Sequence, residues 1–436
     1  MKNGKKKKAN LRTGSVTLLL ILSLAGTGCG DGQQVKNPAQ TPQREGTEAA
    51  SKTGTLNYGY FYEEDGIVVS SKERFLYSDW EPVEFDYICM DPTCSHLTES
   101  CSARTIQDES SWLRDFSLLY QDRLIILHAY FRLEINKLSE AAEEWITVIQ
   151  TDVYEADADG SNRRKKVTFS GSIDNPVMPY AAVLANGKLY FGGPTEEKER
   201  IELGAQGEWL AFEDWVSDAI YCLDLNDYTL ETFAVTEDKE IKQGEDAYQY
   251  QFYEYDGMIY GIISNFYGDS AVWYRIDPDA GVCEEILRFD TNVARFGAAI
   301  GNTVYYMYEN SWQTLYARDL AAGAEERDIM MVTAEGMSAM PFVLDGRLLI
   351  VTDYCVEGED RMVEYTVLDP EGKVLDRIRY DDYIIFMDVV GDKIIYFRGY
   401  PNWEVWGADK EDIKDLSEKG VKIGPLNGAK LDTLED

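Results

Sequence analysis

The chain has 436 residues, with 42 Lys and Arg against 78 Asp and Glu, 44% hydrophobic and 12% aromatic residues, seven cysteines and two histidines. The first 28 residues hold six of the basic side chains and none of the acidic ones, so the remainder carries 36 − 78 = −42 formal charges. A surface of that sign repels nucleic acid and anionic lipid, which excludes a nucleic-acid partner and direct docking of the folded part on a membrane.

In chain order, a basic block (Lys2, Lys5 to Lys8, Arg12) precedes a mostly apolar run from Val16 to Ala25 and then small residues up to Cys29. The run is too short to span a bilayer, and basic, apolar and small segments in that order make an export signal, residues 1–28. The segment resembles a bacterial lipoprotein signal, with Gly26 where that family usually carries Leu. The resemblance implies lipidation of Cys29 and a membrane partner reached through the lipid anchor, with the protein on the extracytoplasmic face of the cell membrane. Ordinary signal-peptide cleavage is the alternative. Residues 29–55 contain no aromatic side chain; they cannot offset their ordering entropy and are expected to be a flexible tether reaching roughly 25–30 Å.

Residues 56–430 repeat, ahead of a short tail, 431–436. The segments "YEYDGMIYGIIS", "AAIGNTVYYMYE", "FVLDGRLLIVTD" and "MDVVGDKIIYFR" each join two apolar runs through a glycine turn. Their glycines, Gly257, Gly301, Gly346 and Gly391, are 44, 45 and 45 residues apart. Looser copies surround Gly66, Asp122 and Gly187. Each is followed by an alternating run that ends in an Asp turn, as in "YRIDPDAG", "YARDLAAG" and "YTVLDPEG". Short strands at this period predict an all-β fold, a β-propeller of about seven four-stranded blades, with six or eight as alternatives if "TLNYGYFY" joins the last blade. The "DGxLYY…lYxxDldG" rhythm resembles exported bacterial propellers described as low-density-lipoprotein-receptor-related or TolB-like. That resemblance implies a fold and no activity.

Cys89, Cys94, His96 and Cys101 form the pattern C-x4-C-x-H-x4-C in "YICMDPTCSHLTESCSA". A "C…PxCxH…C" signature of this kind resembles exported lipoproteins of gut Firmicutes. Three thiolates and one imidazole complete a tetrahedral set for one structural zinc ion. Outside the cytoplasm a local disulfide is the rival, and free thiols are a third alternative. Alignment of "YICMDPTC" with "YRIDPDAG" assigns Tyr87–Met90 to the end of strand C in the first unit. It assigns Asp91–Pro92 to the C–D turn, on the face opposite the long insertions. Cys222, Cys283 and Cys355 read as small core residues.

Two units carry long segments between strands B and C. One, 132–145, is expected to include a helical turn or two. The other, 194–218, combines Glu196 and Glu197 with Trp209, Phe212 and Trp215, aromatic anchors and carboxylates suited to a recognition patch. Catalytic motifs are missing: there is no "GxSxG", "HExxH", P-loop or dinucleotide fingerprint. His128 lies in a strand-B pattern and reads as a packed, satisfied residue. "EADADGSN" starts like a calcium loop, but Lys166 stands where the closing glutamate would be, so it reads as a blade turn. The long insertions and the lack of catalytic motifs lead to the expectation of a non-catalytic cell-surface module that binds a protein, peptide or glycan through the loop-bearing face. The alternative is an extracytoplasmic carbohydrate-active hydrolase or lyase using loop carboxylates and tyrosines.

Overall fold

The computed structural model describes residues 54–425, except 58–59, 64, 71–73, 81–84, 97, 99, 107–114, 138–141, 170–180, 204–208, 236–238, 242–247, 266–270, 290–296, 309–310, 321–323, 332–340, 358–359 and 400–403. The signal, Cys29, the tether up to residue 53 and the tail lie outside the described residues.

After β1 (Gly54–Asn57), blade 1 is built of β2 (Tyr60–Glu63), β3 (Gly66–Ser70), β4 (Phe75–Ser78) and β5 (Asp86–Tyr87). Blade 2 is β6 (Asp115–Tyr120), β7 (Arg123–Lys137), β8 (Ala142–Asp157) and β9 (Arg164–Phe169). Blade 3 is β10 (Ala181–Ala185), β11 (Lys188–Leu203), β12 (Trp209–Asp224) and β13 (Leu230–Val235), followed by the short β14 (Lys239–Ile241). Blade 4 is β15 (Tyr248–Tyr255), β16 (Met258–Asn265), β17 (Ala271–Asp277) and β18 (Val282–Phe289). Blade 5 is β19 (Gly297–Ile300), β20 (Thr303–Tyr308), β21 (Ser311–Asp319) and β22 (Arg327–Met331). Blade 6 is β23 (Phe342–Leu344), β24 (Arg347–Glu357), β25 (Asp360–Leu368) and β26 (Val374–Tyr380). Blade 7 is β27 (Ile384–Val390), β28 (Lys393–Arg398), β29 (Glu404–Asp409) and β30 (Val421–Pro425). The expected fold class is therefore observed: a propeller of 7 four-stranded antiparallel blades.

The turns between the first two strands of each blade explain the glycine spacing. In blades 3, 4 and 6 they are Asn186–Gly187, Asp256–Gly257 and Asp345–Gly346, and both residues of each pair have positive φ. That is the primed turn whose twist matches antiparallel strands. Gln121–Asp122 does the same in blade 2 without glycine, at φ 50 and 60°. In blades 5 and 7 the glycine moves to the first turn position, Gly301 and Gly391, and alone is positive among each pair. The second strand of a blade has neighbours on both faces, so it reads as a near-continuous apolar run: β20 buries Val304 to Met307. The outermost strands face solvent, and β26 alternates only at its end.

Every blade is contiguous in sequence, and among the described residues side-chain packing joins blade 7 to blade 1. Tyr60, Tyr62, Ile67, Leu76 and Trp80 meet Val390, Ile395, Val405 and Ile423 in one buried cluster. "TLNYGYFY" does not extend the last blade. Instead β1 pairs with β2 of blade 1 and β10 of blade 3, the innermost strands of both. It therefore lies on the axial side of the ring.

The long B–C segments are strands, not loops. β7 and β8 pair from Arg123↔Asp157 out to Lys137↔Glu143. β11 and β12 pair from Lys188↔Asp224 to Leu203↔Trp209. The helical expectation for 132–145 is thus corrected: its described residues are extended on both sides of 138–141.

Candidate metal centre and binding face

The cysteine stretch occupies a different connection from the one expected. β4 is strand C of blade 1 and β5 is strand D, so Ile88 onward belongs to the connection from blade 1 to blade 2. The alignment with "YRIDPDAG" failed because it matched a turn and not a position in the blade. Asp91 does make the same Asx turn as Asp277: its carboxylate accepts from the Thr93 amide at 2.8 Å, as that of Asp277 accepts from the Asp279 amide at 3.0 Å. D-to-A connections share their side of the ring with B–C hairpins, so the cluster is not on the face opposite the insertions.

The stretch interrupts an outer strand. β5 pairs Tyr87 with Leu76, and Ile88 N–H donates to the Phe75 carbonyl at 3.1 Å. The chain then leaves the sheet and returns at Ala103 and Arg104. There Phe75 N–H donates to the Ala103 carbonyl at 2.7 Å, and Arg74 bridges Arg104. Cys89 and Cys101 stand at the two ends of this excursion, both buried. Cys94 and His96 lie on its inner turn, where His96 adopts φ 59° and its N–H donates to Cys94 Sγ at 3.3 Å. This left-handed residue provides the tight loop that a two-residue spacing requires.

The ligand atoms of Cys89, Cys94, His96 and Cys101 all lie within 4.8 Å of one another. Cys101 Sγ and His96 Nδ1 are 3.6 Å apart. Zinc with sulfur at about 2.3 Å and nitrogen at about 2.0 Å in a tetrahedron separates neighbouring ligand atoms by roughly 3.5–3.8 Å. The group fits a metal ion of this kind with small adjustments.

The electrostatics differ from ligand to ligand. Burial opposes ionisation of Cys89, but hydrogen bonding with the Ser102 side chain, the Asp91 backbone and the neighbouring thiols brings its pKa below the ordinary thiol value. Burial pushes Cys101 up to about 11, with the Cys94 and Cys89 thiols adding to it. Burial, then the Arg74 charge, lowers His96, keeping the imidazole neutral and able to ligate. The ring stacks on Tyr87 at 4.6 Å, and Arg74 Nε donates to the His96 carbonyl at 2.7 Å.

Arg74, Ser102 and Arg163 are the site residues that sequence reasoning missed. Arg163 donates to the carbonyls of Ser102 and Arg104 at 3.1 and 2.7 Å and sits over the Phe75 ring at 5.3 Å. Ser102 Oγ donates to the Asp159 carbonyl at 2.6 Å. Asp159 and Arg163 belong to "EADADGSN" and its flank, which is the turn between β8 and β9, as read from sequence. Arg163 is about 60 residues from its acceptors, so no spacing rule could have found it.

No protein-family model and no curated protein matches the sequence. Solved structures do. An uncharacterized protein from Listeria monocytogenes matches at TM-score 0.33 and 14% identity over 68% of this chain and 83% of that one. Dipeptidyl peptidase 4 of Porphyromonas gingivalis matches at TM-score 0.38 and 10% identity, over 85% of this chain and 59% of the peptidase. The propeller domain of a protease from Pyrococcus furiosus, described as having an open velcro topology, matches at TM-score 0.26 and 11% identity over 68% and 99%.

The hairpins of blades 2 and 3 join beyond the ring. β8 pairs with β11 from Ala142↔Glu202 to Thr147↔Glu197, and β12 pairs with β14. Together β7, β8, β11, β12 and β14 form one antiparallel sheet. Its register divides the expected patch. Glu197 and Trp209 fall on the face shared by Trp145, Leu133 and Ile135, whereas Glu196 and Trp215 fall on the other face. Phe212 is the extra residue at the irregularity between Arg200 and Ile201. The side chains of the five lie outside the description.

His128 is buried, with Nδ1 2.6 Å from Asp115 Oδ1, a packed and satisfied pair. Cys222 is buried and Cys283 half-buried, while the side chain of Cys355 lies outside the description.

Proposed function

We propose that the chain is a cell-surface lipoprotein that presents its propeller as a non-catalytic binding module for a protein, peptide or glycan. We further propose that its Cys3His group holds one structural zinc ion. The observation that carries the binding reading is the sheet built by the paired hairpins of blades 2 and 3. Among the described residues, two blades extend their middle strands in this way, and the ring does not need the extension to close. Long strands that pair outside their own blade make a rigid display surface, on which binding residues are held without the entropy cost of ordering a loop. The position of β1 on the axis, where a funnel-shaped active site would open, supports binding over catalysis. The basic block, apolar run and Cys29 support lipid anchoring.

The binding test replaces 132–148 and 195–217 each with a two-residue Asn–Gly turn and compares trimmed and intact protein on a glycan array and in pull-downs with surface extracts. Loss of a specific ligand with the ring still folded supports the reading. Turnover of an oligosaccharide by the intact protein, or unchanged capture by the trimmed one, overturns it. The anchoring test is Cys29→Ala, expected to move the protein from the detergent phase to the aqueous phase. An unmodified N-terminus elsewhere would refute lipidation.

A further inference from the structure

We propose that the metal at Cys89, Cys94, His96 and Cys101 completes the outer strand of blade 1 and thereby fastens blade 1 to blade 2. This rests on the zinc reading given above. In blades 2 to 7 the outermost strand has 5 to 8 residues. In blade 1 it has 2, Asp86–Tyr87. The missing length is supplied by Ala103 and Arg104, which return to pair beside Phe75 and Arg74 after the excursion. Two halves of one strand separated by a long loop do not hold each other in register unless the loop is closed at its base.

The four ligands are placed to close it. Cys89 ends the first half and Cys101 begins the second. Cys94 and His96 fold the intervening chain back on both. A zinc ion bonded to all four turns the excursion into a short covalent-like ring and fixes residues 101–104 against β4.

Those residues are the contact with blade 2. The Ser102 and Arg104 carbonyls accept from Arg163, and the Ser102 hydroxyl donates to Asp159. Gly160, at φ 75°, lies so close to the Ser102 carbonyl that a Cβ there would collide with it. Arg163 also covers Phe75. Elsewhere a complete outer strand backs the next blade's turn, as Ile329 of β22 backs Gly372 of blade 6. At the first seam the metal loop takes that place. The same blade 2 strands, β7 and β8, continue outward into the display sheet, so the fastener steadies its root.

The experiment is hydrogen exchange with mass spectrometry on the full chain, purified with zinc and again after chelation, alongside metal analysis and thiol counting. One zinc per chain is expected. Its removal should raise exchange at 74–78, 101–106 and 157–164 by on the order of a hundredfold, the equilibrium factor lost when a loop of this length opens. Exchange at 259–263 and 348–351 should not change. Arg163→Ala should keep one zinc per chain but lose the zinc dependence at 157–164. If zinc binds stoichiometrically and exchange at 157–164 ignores it, the fastener is wrong and the zinc reading stands. If Arg163→Ala still shows the dependence, Arg163 is not the link and the proposal fails. If no zinc binds and a thiol pair is lost, a disulfide closes the loop and both readings fall.

Discussion

Among the described residues the first and last blades share no strand, so replacing Trp80 with alanine should open the ring at one place. Trp80 is 8% exposed in the cluster that joins blades 1 and 7, and its ring stacks on Tyr62 at 6.3 Å. It also lies 3.0 Å from where a Cβ on Gly407 of β29 would stand, so no void exists on that side. Removing a buried Trp costs about 3–5 kcal/mol in transfer and cavity terms. The Trp80 indole also donates to the Glu63 carbonyl at 2.8 Å in a buried setting, and losing that bond adds about 1 kcal/mol. The expected loss is therefore about 4–6 kcal/mol. Urea unfolding followed by far-ultraviolet circular dichroism measures it. Hydrogen exchange should localise the opening to β2–β4 and β28–β30. Val374→Ala, at a site 47% exposed, is the control and should change stability by less than about 0.5 kcal/mol. A loss below about 1 kcal/mol for Trp80→Ala, or exchange that rises first in blades 3 to 5, would refute closure by this packing.

Three further outcomes follow from single contacts. The Tyr228 hydroxyl, with Arg123 and Lys166, outweighs the effect of burial and holds the Glu155 carboxyl below its usual range. A depressed folded pKa stabilises above the unfolded value near 4.3 and is lost as pH falls through the folded one. Glu155→Gln should thus cost about 1–2 kcal/mol at pH 7 and nothing once pH is below the folded value, as read from urea midpoints across pH. Gly160→Ala forces a side chain into φ 75° and against Ser102, so it should cost at least about 2 kcal/mol in the same titration. Asp115→Ala removes the acceptor of both His128 Nδ1 and the Ile106 amide, at 2.6 and 2.7 Å. A loss of about 3 kcal/mol or more is expected, and a neutral result would show the pair to be dispensable.

Much of this protein is local and therefore written in the sequence. The period of 44 and 45 residues, the Asp–Gly and Asn–Gly turns and the apolar runs of the inner strands all follow from φ preferences and burial that each blade repeats. The donor set Cys89, Cys94, His96 and Cys101 was also legible, because its members are close in the chain and few in number. What the sequence could not convey was decided by contacts between distant segments. "AEEW" (142–145) and "EEKERIEL" (196–203) are rich in helix-forming residues. They are strands because β8 and β11 pair with each other across two blades, and that pairing outweighs propensity. β1 has no local mark of its place, since its partners include Ala182 to Leu184, over a hundred residues on. "DPTC" makes an Asx turn like that of "DPDA" at Asp277. Only the pairing of Arg74 and Phe75 with Ala103 and Arg104 reveals that here it interrupts an outer strand. Turn chemistry depends on four residues, whereas a turn's position in a sheet depends on which distant backbone groups remain to be paired, and those are known only once the ring is assembled.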